Sequence, residues 1–138
     1  MPQATHLTAL ATGASTKQSC AISASKTSGQ VISKQNPLGV QAIIKRAVLH
    51  VKTGSSAACT LDIGTATTST SNDGLIDGIS VNAAADTIYD NVTNVGTNGK
   101  ATRLVGATDY ITASVASGNA NGLVADLYVD LMPLTGGD

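Results

Sequence analysis

The chain has no phenylalanine, no tryptophan and no glutamate, and its aromatic content is three tyrosines, Tyr89, Tyr110 and Tyr128. A core without Phe or Trp has to be built from small aliphatic side chains. Each of these removes less area from water, at roughly 25 cal/mol per Å², so docking or oligomerisation would supply the missing burial. The absence of Glu deprives the surface of a common helix former, and all nine acids are Asp. Charged residues make up 12% of the chain, about half the usual share of roughly 25%. Solubility rests instead on Ser, Thr, Asn and Gly.

Two cysteines, Cys20 and Cys59, are too few for a disulfide framework and lack metal-type C-x-x-C spacing; both read as reduced thiols. The start, Met1 to His6, has neither a basic nor an apolar leader region, and no stretch approaches a membrane span. The expectation is synthesis and folding in the cytoplasm. At 138 residues the length suits one domain.

Net charge is −1, but the charges are segregated along the chain: residues 1–61 carry six cations and no acid, and residues 62–138 carry two cations and nine acids. Residues 1–37 are rich in Ser, Thr, Ala, Gln and Lys and read as a polar, basic N-terminal arm. Short strands are expected there near Gln18–Ser25 and Gln30–Lys34. From residue 38 onward, β-branched runs bounded by Gly, Asn or Asp follow one another.

In Gln41–Lys52, Ile43, Ala47, Leu49 and Val51 share one face, and Arg46, His50 and Lys52 share the other. Ala57–Ile63 alternates Cys59, Leu61 and Ile63 against Ala58, Thr60 and Asp62. Gly64–Gly74 reads as a loop. Leu75–Ala85 is ambiguous, with a possible helical turn at Ala83–Ala85. Thr87–Asn91 is a short strand, and Asn98-Gly99 signals a two-residue hairpin turn. Leu123–Met132 is the clearest strand, with Leu123, Ala125, Leu127, Val129 and Leu131 turned inward. Six to eight short strands at this spacing predict an all-β fold, a jelly-roll-like β-sandwich with an extended N-terminal arm.

No catalytic constellation emerges, and the chain reads as a non-enzyme that needs no cofactor. His50 lies on a basic outward strand face, which suits a surface imidazole, and no serine sits in a nucleophile elbow. Asp126 and Asp130 would stand about 13 Å apart along their strand, too far for paired-carboxylate hydrolysis. Asn72, Asp73 and Asp77 offer oxygens to calcium, but without the bidentate Glu of a calcium loop they read as turn residues and no metal is assigned. Gly96-Thr97-Asn98-Gly99-Lys100 lacks the Ser or Thr of a phosphate loop. The acid-free stretch from 17 to 52 has no aromatic to stack on bases, so nucleic acid is a poor fit. Lys17, Lys26, Lys34, Lys45, Arg46 and Lys52 are instead the candidates for docking onto an acidic protein surface or a neighbouring subunit.

Several phrases resemble a known group. Cys59-Thr60-Leu61-Asp62-Ile63-Gly64, Asn72-Asp73-Gly74-Leu75-Ile76-Asp77-Gly78, Gly96-Thr97-Asn98-Gly99-Lys100-Ala101, Asp109-Tyr110-Ile111-Thr112-Ala113-Ser114 and Ser117-Gly118-Asn119-Ala120-Asn121-Gly122-Leu123-Val124 resemble capsid decoration proteins of tailed bacteriophages. The similarity runs over roughly residues 40–132 and is one of texture and order. It implies a jelly-roll cement protein on the outer surface of a virion capsid, commonly trimeric, with the major capsid protein and itself as partners and no membrane. A head-fibre base, a tail-surface module and a carbohydrate-binding β-sandwich are the competing expectations.

Overall fold

The computed structural model describes residues 16–24 (backbone only), 29–67, 72–82 and 85–134. Among these the chain is all-β, with nine strands and no helix: β1 (Thr16–Ala24), β2 (Gly29–Gln35), β3 (Ala42–Thr53), β4 (Cys59–Ala66), β5 (Ile76–Ser80), β6 (Thr87–Asp90), β7 (Arg103–Val105), β8 (Tyr110–Gly118) and β9 (Leu123–Pro133). They form two antiparallel sheets. One has the order β1-β9-β3-β6 with β7 also on β3, and the other has the order β2-β8-β4-β5. The inward residues of both sheets belong to one buried cluster, in which Ile44, Leu49, Leu61, Ile63, Leu127 and Leu131 are the larger members. No Phe or Trp is present to fill this space, so it is packed by branched aliphatics and closed by alanines such as Ala42, Ala47 and Ala113.

The alternations expected for β4 and β9 hold residue by residue: Cys59, Leu61 and Ile63 are buried, as are Leu123, Ala125, Leu127, Val129 and Leu131. β3 departs from expectation at one point. Its register against β9 shifts between Ile44 and Arg46, so Lys45 is an extra, exposed residue and the alternation changes phase there. Ile44 therefore faces the core, and Ile43 joins the outer face with Val48, His50 and Lys52. A strict period of two cannot anticipate a bulge.

The strands expected near Gln18–Ser25 and Gln30–Lys34 are β1 and β2, and each is an edge member of a sheet: β1 pairs with β9, and β2 with β8. The junction at residue 36 is pinned as well. Buried Asn36 donates from Nδ2 to the carbonyls of Val40 (2.8 Å) and Gly106 (2.9 Å), and its Oδ1 accepts from the Leu38 N–H. Among the described residues the two sheets thus include residues 16–24 and 29–35 as well as the strands after residue 41. Residues 1–15 of the expected arm, and with them His6, lie outside the described residues, as do Lys26, Ala83 and Ala84.

The Asn98-Gly99 hairpin does not form. β6 and β7 do not pair with each other but lie end to end along β3, β6 on Val48–Val51 and β7 on Ala42–Ile44. Glycine is required at 99 for space: a Cβ there would run into the carbonyls of Leu75 and Val95. The gap between β6 and β7 is filled by Asn91, which is fully buried. Its N–H donates to the Ala47 carbonyl (3.2 Å), its Oδ1 accepts from the Ala47 N–H (2.8 Å), and its Nδ2 donates to the carbonyls of Lys100 (3.1 Å) and Ala101 (2.7 Å). One side chain replaces the missing rungs of the ladder. Asn91→Ala strands the Ala47 donor and two acceptors, each costing about 1–3 kcal/mol when buried without a partner. The expected loss is ~3 kcal/mol, read as a lower urea midpoint at an unchanged slope.

Candidate functional site

The outward residues of β3, β6, β7 and β9 form one continuous face of the five-stranded sheet. The register sets them in rows: Leu104 beside Ile43 and Met132, Asp90 beside Val48 and Tyr128, Ile88 beside His50 and Asp126, and Arg46 opposite Asp130. The exposed large apolar residues of the described chain collect on these strands or immediately after them: Ile88 (63% exposed), Leu104 (53%), Tyr128 (41%), Val92, Val124 and Leu134. Of these, Ile88, Leu104, Val124 and Tyr128 stand on the strands themselves, an exposed apolar gathering of the kind whose use is worth asking about. Sequence reading missed Ile88 and Leu104 because β6 and β7 have 4 and 3 residues, too few to show an alternation.

The basic residues of β3 are largely neutralised within this face. Arg46 Nη2 donates to Asp90 Oδ2 at 3.0 Å and Lys52 Nζ to Asp126 Oδ2 at 2.6 Å, while His50 Nε2 lies 3.3 Å from Asp86 Oδ1. The hydrogen bond and charge of Asp126 raise the Lys52 pKa, and Lys52 in turn lowers that of Asp126. Arg46 and Lys52 are about half exposed, a setting in which an ion pair adds little to stability. The effect of these pairs is to remove net charge from the face.

Of the six cations expected to dock, Lys34, Lys45, Arg46 and Lys52 have described side chains, and Lys34 lies on the other sheet from the rest. Arg46 and Lys52 are paired as described. Lys45 sits exposed on the bulge, and Lys34 lies exposed on the opposite sheet at the β2 edge; neither makes an ion pair among the described residues. Lys34 shares the sheet face of Ile32 and Ile111, so it is an inward-side charge on an edge strand, a placement that discourages edge-to-edge pairing. Lys17 holds the register position opposite Asp130. A shallow open depression, lined by Arg46, Val48, Tyr128, Val129 and Asp130, lies on the face, and Asp130 Oδ1 is buried there without a hydrogen-bond partner among the described residues.

On the outer face of the other sheet, Asn72 does the turn chemistry expected of it: its Oδ1 accepts from the N–H groups of Gly74 (2.8 Å) and Thr65 (3.3 Å). Asp73 and Asp77 come together with Asp62, a residue that the sequence placed on an outward strand face and that no spacing linked to them. Burial pushes the Asp62 pKa up, the Gly78 N–H opposes this, and the neighbouring Asp77 and Asp73 add to the rise.

No protein-family model, curated protein or solved structure matches the chain.

Asp90 holds the end of β6 as well as Arg46. Its Oδ1 accepts from the N–H groups of Val92 (2.8 Å) and Thr93 (2.7 Å) and from the Thr93 hydroxyl (2.7 Å). These bonds, led by the Thr93 N–H and aided last by Arg46, bring its pKa down to about 2 against the opposing effect of burial. A carboxylate lowered on folding stabilises fully above its unfolded value of about 3.9, and the contribution fades as pH falls toward the folded value. The stability gap between the wild type and Asp90→Asn should therefore be full at pH 6 and close as pH falls from about 4 toward 2. Urea midpoints measured across that range test this.

Proposed function

We propose that this chain is a structural virion protein that binds the outer surface of a phage capsid as a decoration protein and stabilises the head. The observation that carries this reading is the gathering of exposed apolar side chains on a charge-neutralised sheet face, which suits docking to a large, pre-formed protein surface. The fold reads as a jelly roll. Its strand orders, β1-β9-β3-β6 and β2-β8-β4-β5, are those of two four-stranded layers between which the chain crosses repeatedly, with β7 prolonging the position of β6. The phrases that resemble those of decoration proteins fall on β4, β5, the connection before β7, β8 and the β8–β9 turn.

On this reading Ile88, Leu104 and Tyr128 supply contact area, and Lys34 and Lys45, with Lys17 and Lys26, supply attraction to acidic capsid or neighbouring-subunit surface. Arg46 and Lys52 act chiefly within the face. Copies joined as a homo-oligomer, expected to be a trimer, would gain avidity on a shell that repeats the same site. Ile88→Asp and Leu104→Asp change only solvent-facing side chains, so they leave folding intact. Each should lower particle occupancy by tenfold or more, the effect of roughly 1.4 kcal/mol. Lys34→Glu and Lys45→Glu should have smaller effects that disappear in high salt. Unchanged occupancy in both apolar variants overturns this assignment of the face. A truncation that probes the segment before β1 has to stop at residue 15, since a longer one removes edge strands from both sheets.

The depression at Tyr128 favours a second reading, carbohydrate binding, because an exposed ring beside a carboxylate is a saccharide-type pairing. Glycan-array binding that is lost in Tyr128→Ala and retained in Ile88→Asp would support it over docking.

A further inference from the structure

Asparagine or aspartate followed by glycine is the pair at which a polypeptide most readily rearranges its own main chain, because glycine has no Cβ to hinder attack by its nitrogen on the preceding side chain. The sequence holds four such pairs: Asp73-Gly74, Asp77-Gly78, Asn98-Gly99 and Asn121-Gly122. The attacking atom is the glycine nitrogen, so a hydrogen bond that fixes its N–H holds the pair closed. In three of the four that bond is made. The Gly74 N–H donates to Asn72 Oδ1 (2.8 Å), the Gly78 N–H to Asp62 Oδ1 (2.8 Å) and the Gly99 N–H to the Val95 carbonyl (2.8 Å). Asn98 is held a second time, since its Nδ2 donates to Asp73 Oδ2 (2.9 Å).

Asn121-Gly122 is arranged differently. The Leu123 N–H donates to the Ala120 carbonyl (3.0 Å), closing a turn in which Gly122 takes φ +82°, the left-handed position that glycine fills in such turns. Both residues are exposed, and among the described residues neither the Gly122 N–H nor the Asn121 side chain has a hydrogen-bond partner. The Asn121 carbonyl, by contrast, accepts from the Ser56 N–H (2.8 Å) and from the Ser56 hydroxyl (3.1 Å). When the Gly122 nitrogen loses its proton, the negative charge is shared with that carbonyl oxygen. Two donors already aimed at it favour the reactive form, as the donors of an oxyanion hole do.

We propose that Asn121 is a self-modification site, at which the chain converts asparagine to aspartate and isoaspartate without an enzyme. The deprotonated Gly122 nitrogen attacks Asn121 Cγ. The N–Cγ bond forms, the Cγ–Nδ2 bond breaks, and Nδ2 leaves as ammonia, taking up the proton that the Gly122 nitrogen gave to solvent. Water then opens the cyclic imide. Opening at Cγ leaves aspartate; opening at the main-chain carbonyl leaves isoaspartate, with the chain running through the former side chain and lengthened by a methylene. Either product puts a new negative charge on the turn that enters β9, and isoaspartate also moves the carbonyl that Ser56 holds. The same end of β9 carries exposed Val124, so ageing of the chain would alter one border of the candidate docking face; the chemistry itself does not depend on that face being used.

The test incubates the full chain in warm, mildly alkaline buffer, folded and in parallel unfolded in urea. Samples are mapped by peptide mass spectrometry, and isoaspartate is counted by enzymatic methylation with a labelled methyl donor. In the folded chain, product should accumulate at residue 121 many times faster than at residue 98, with Asp73 and Asp77 unchanged. In urea, where every glycine N–H is released, residue 98 should catch up with residue 121. Asn121→Gln should remove most of the isoaspartate from the folded chain. Ser56→Ala should slow its appearance severalfold in the folded chain and leave the rate in urea unchanged, and Ser56→Thr, which keeps a hydroxyl, should restore it. Equal rates at residues 98 and 121 in the folded chain, or no product at residue 121 while the unfolded chain reacts there, overturn the proposal.

Discussion

The rest of the molecule depends on the pairing of β3 with β9. These are the two longest strands, 12 and 11 residues, and they lie side by side at the middle of the five-stranded sheet. Their inward residues supply much of the buried cluster and their outward residues much of the exposed face. Because side chains alternate with a period of two, a slip of one residue would exchange the two sets. The bulge at Lys45 alters the phase within β3, burying Ile44 at one end while Leu49 and Val51 stay buried at the other, and a second shift of register lies between Val51 and Thr53. Asn91 protects the same strand on its other side by satisfying Ala47 where neither β6 nor β7 reaches it.

That pairing also fixes what the outer face can be. Arg46, His50 and Lys52 are on β3, and the strands on either side of β3 bring acids to them, Asp90 from β6 and Asp126 from β9, with Asp86 just before β6. With Arg46 and Lys52 paired to acids of neighbouring strands, the face presents Ile88, Leu104 and Tyr128 beside few free cations. Association through such a surface is expected to be short-ranged and tolerant of salt, unlike the long-range attraction that a row of unmatched lysines would give.

The β-class, the β4 and β9 alternations and the edges of most strands were legible in the sequence, because each depends on local pattern and turn residues. What escaped depended on contacts distant in the chain. Ile43 and Ile44 exchange roles through a bulge that has no marker in sequence. Asn98-Gly99 resembles a hairpin turn, yet β6 and β7 are both claimed by β3. Asp73 and Asp77 were visible as oxygen donors, but Asp62 joins them only because β4 and β5 are neighbours. The basic stretch before residue 53 was legible as charge, but which of its described members find acids, Arg46 and Lys52, depends on strands distant in the chain.

The segregation of charge along the chain has a simple outcome in the fold. Cations are concentrated before residue 53 and acids after residue 61, and the topology interleaves the two parts: early β1 and β3 flank late β9, and late β6 lies on β3. Arg46 and Lys52 thereby meet acids from the second half, and Lys17 takes the register position opposite Asp130. In a chain with few charges, each cross-strand match favours one register, and a slipped or swapped pairing of β3 with another early strand would set cation against cation. The charge dipole of the sequence is therefore spent in part within the chain, on strand register. What remains for partners is the apolar part of the face and the lysines on edges and bulge, which is why Ile88 and Leu104, rather than Arg46 and Lys52, are the residues on which docking is expected to turn.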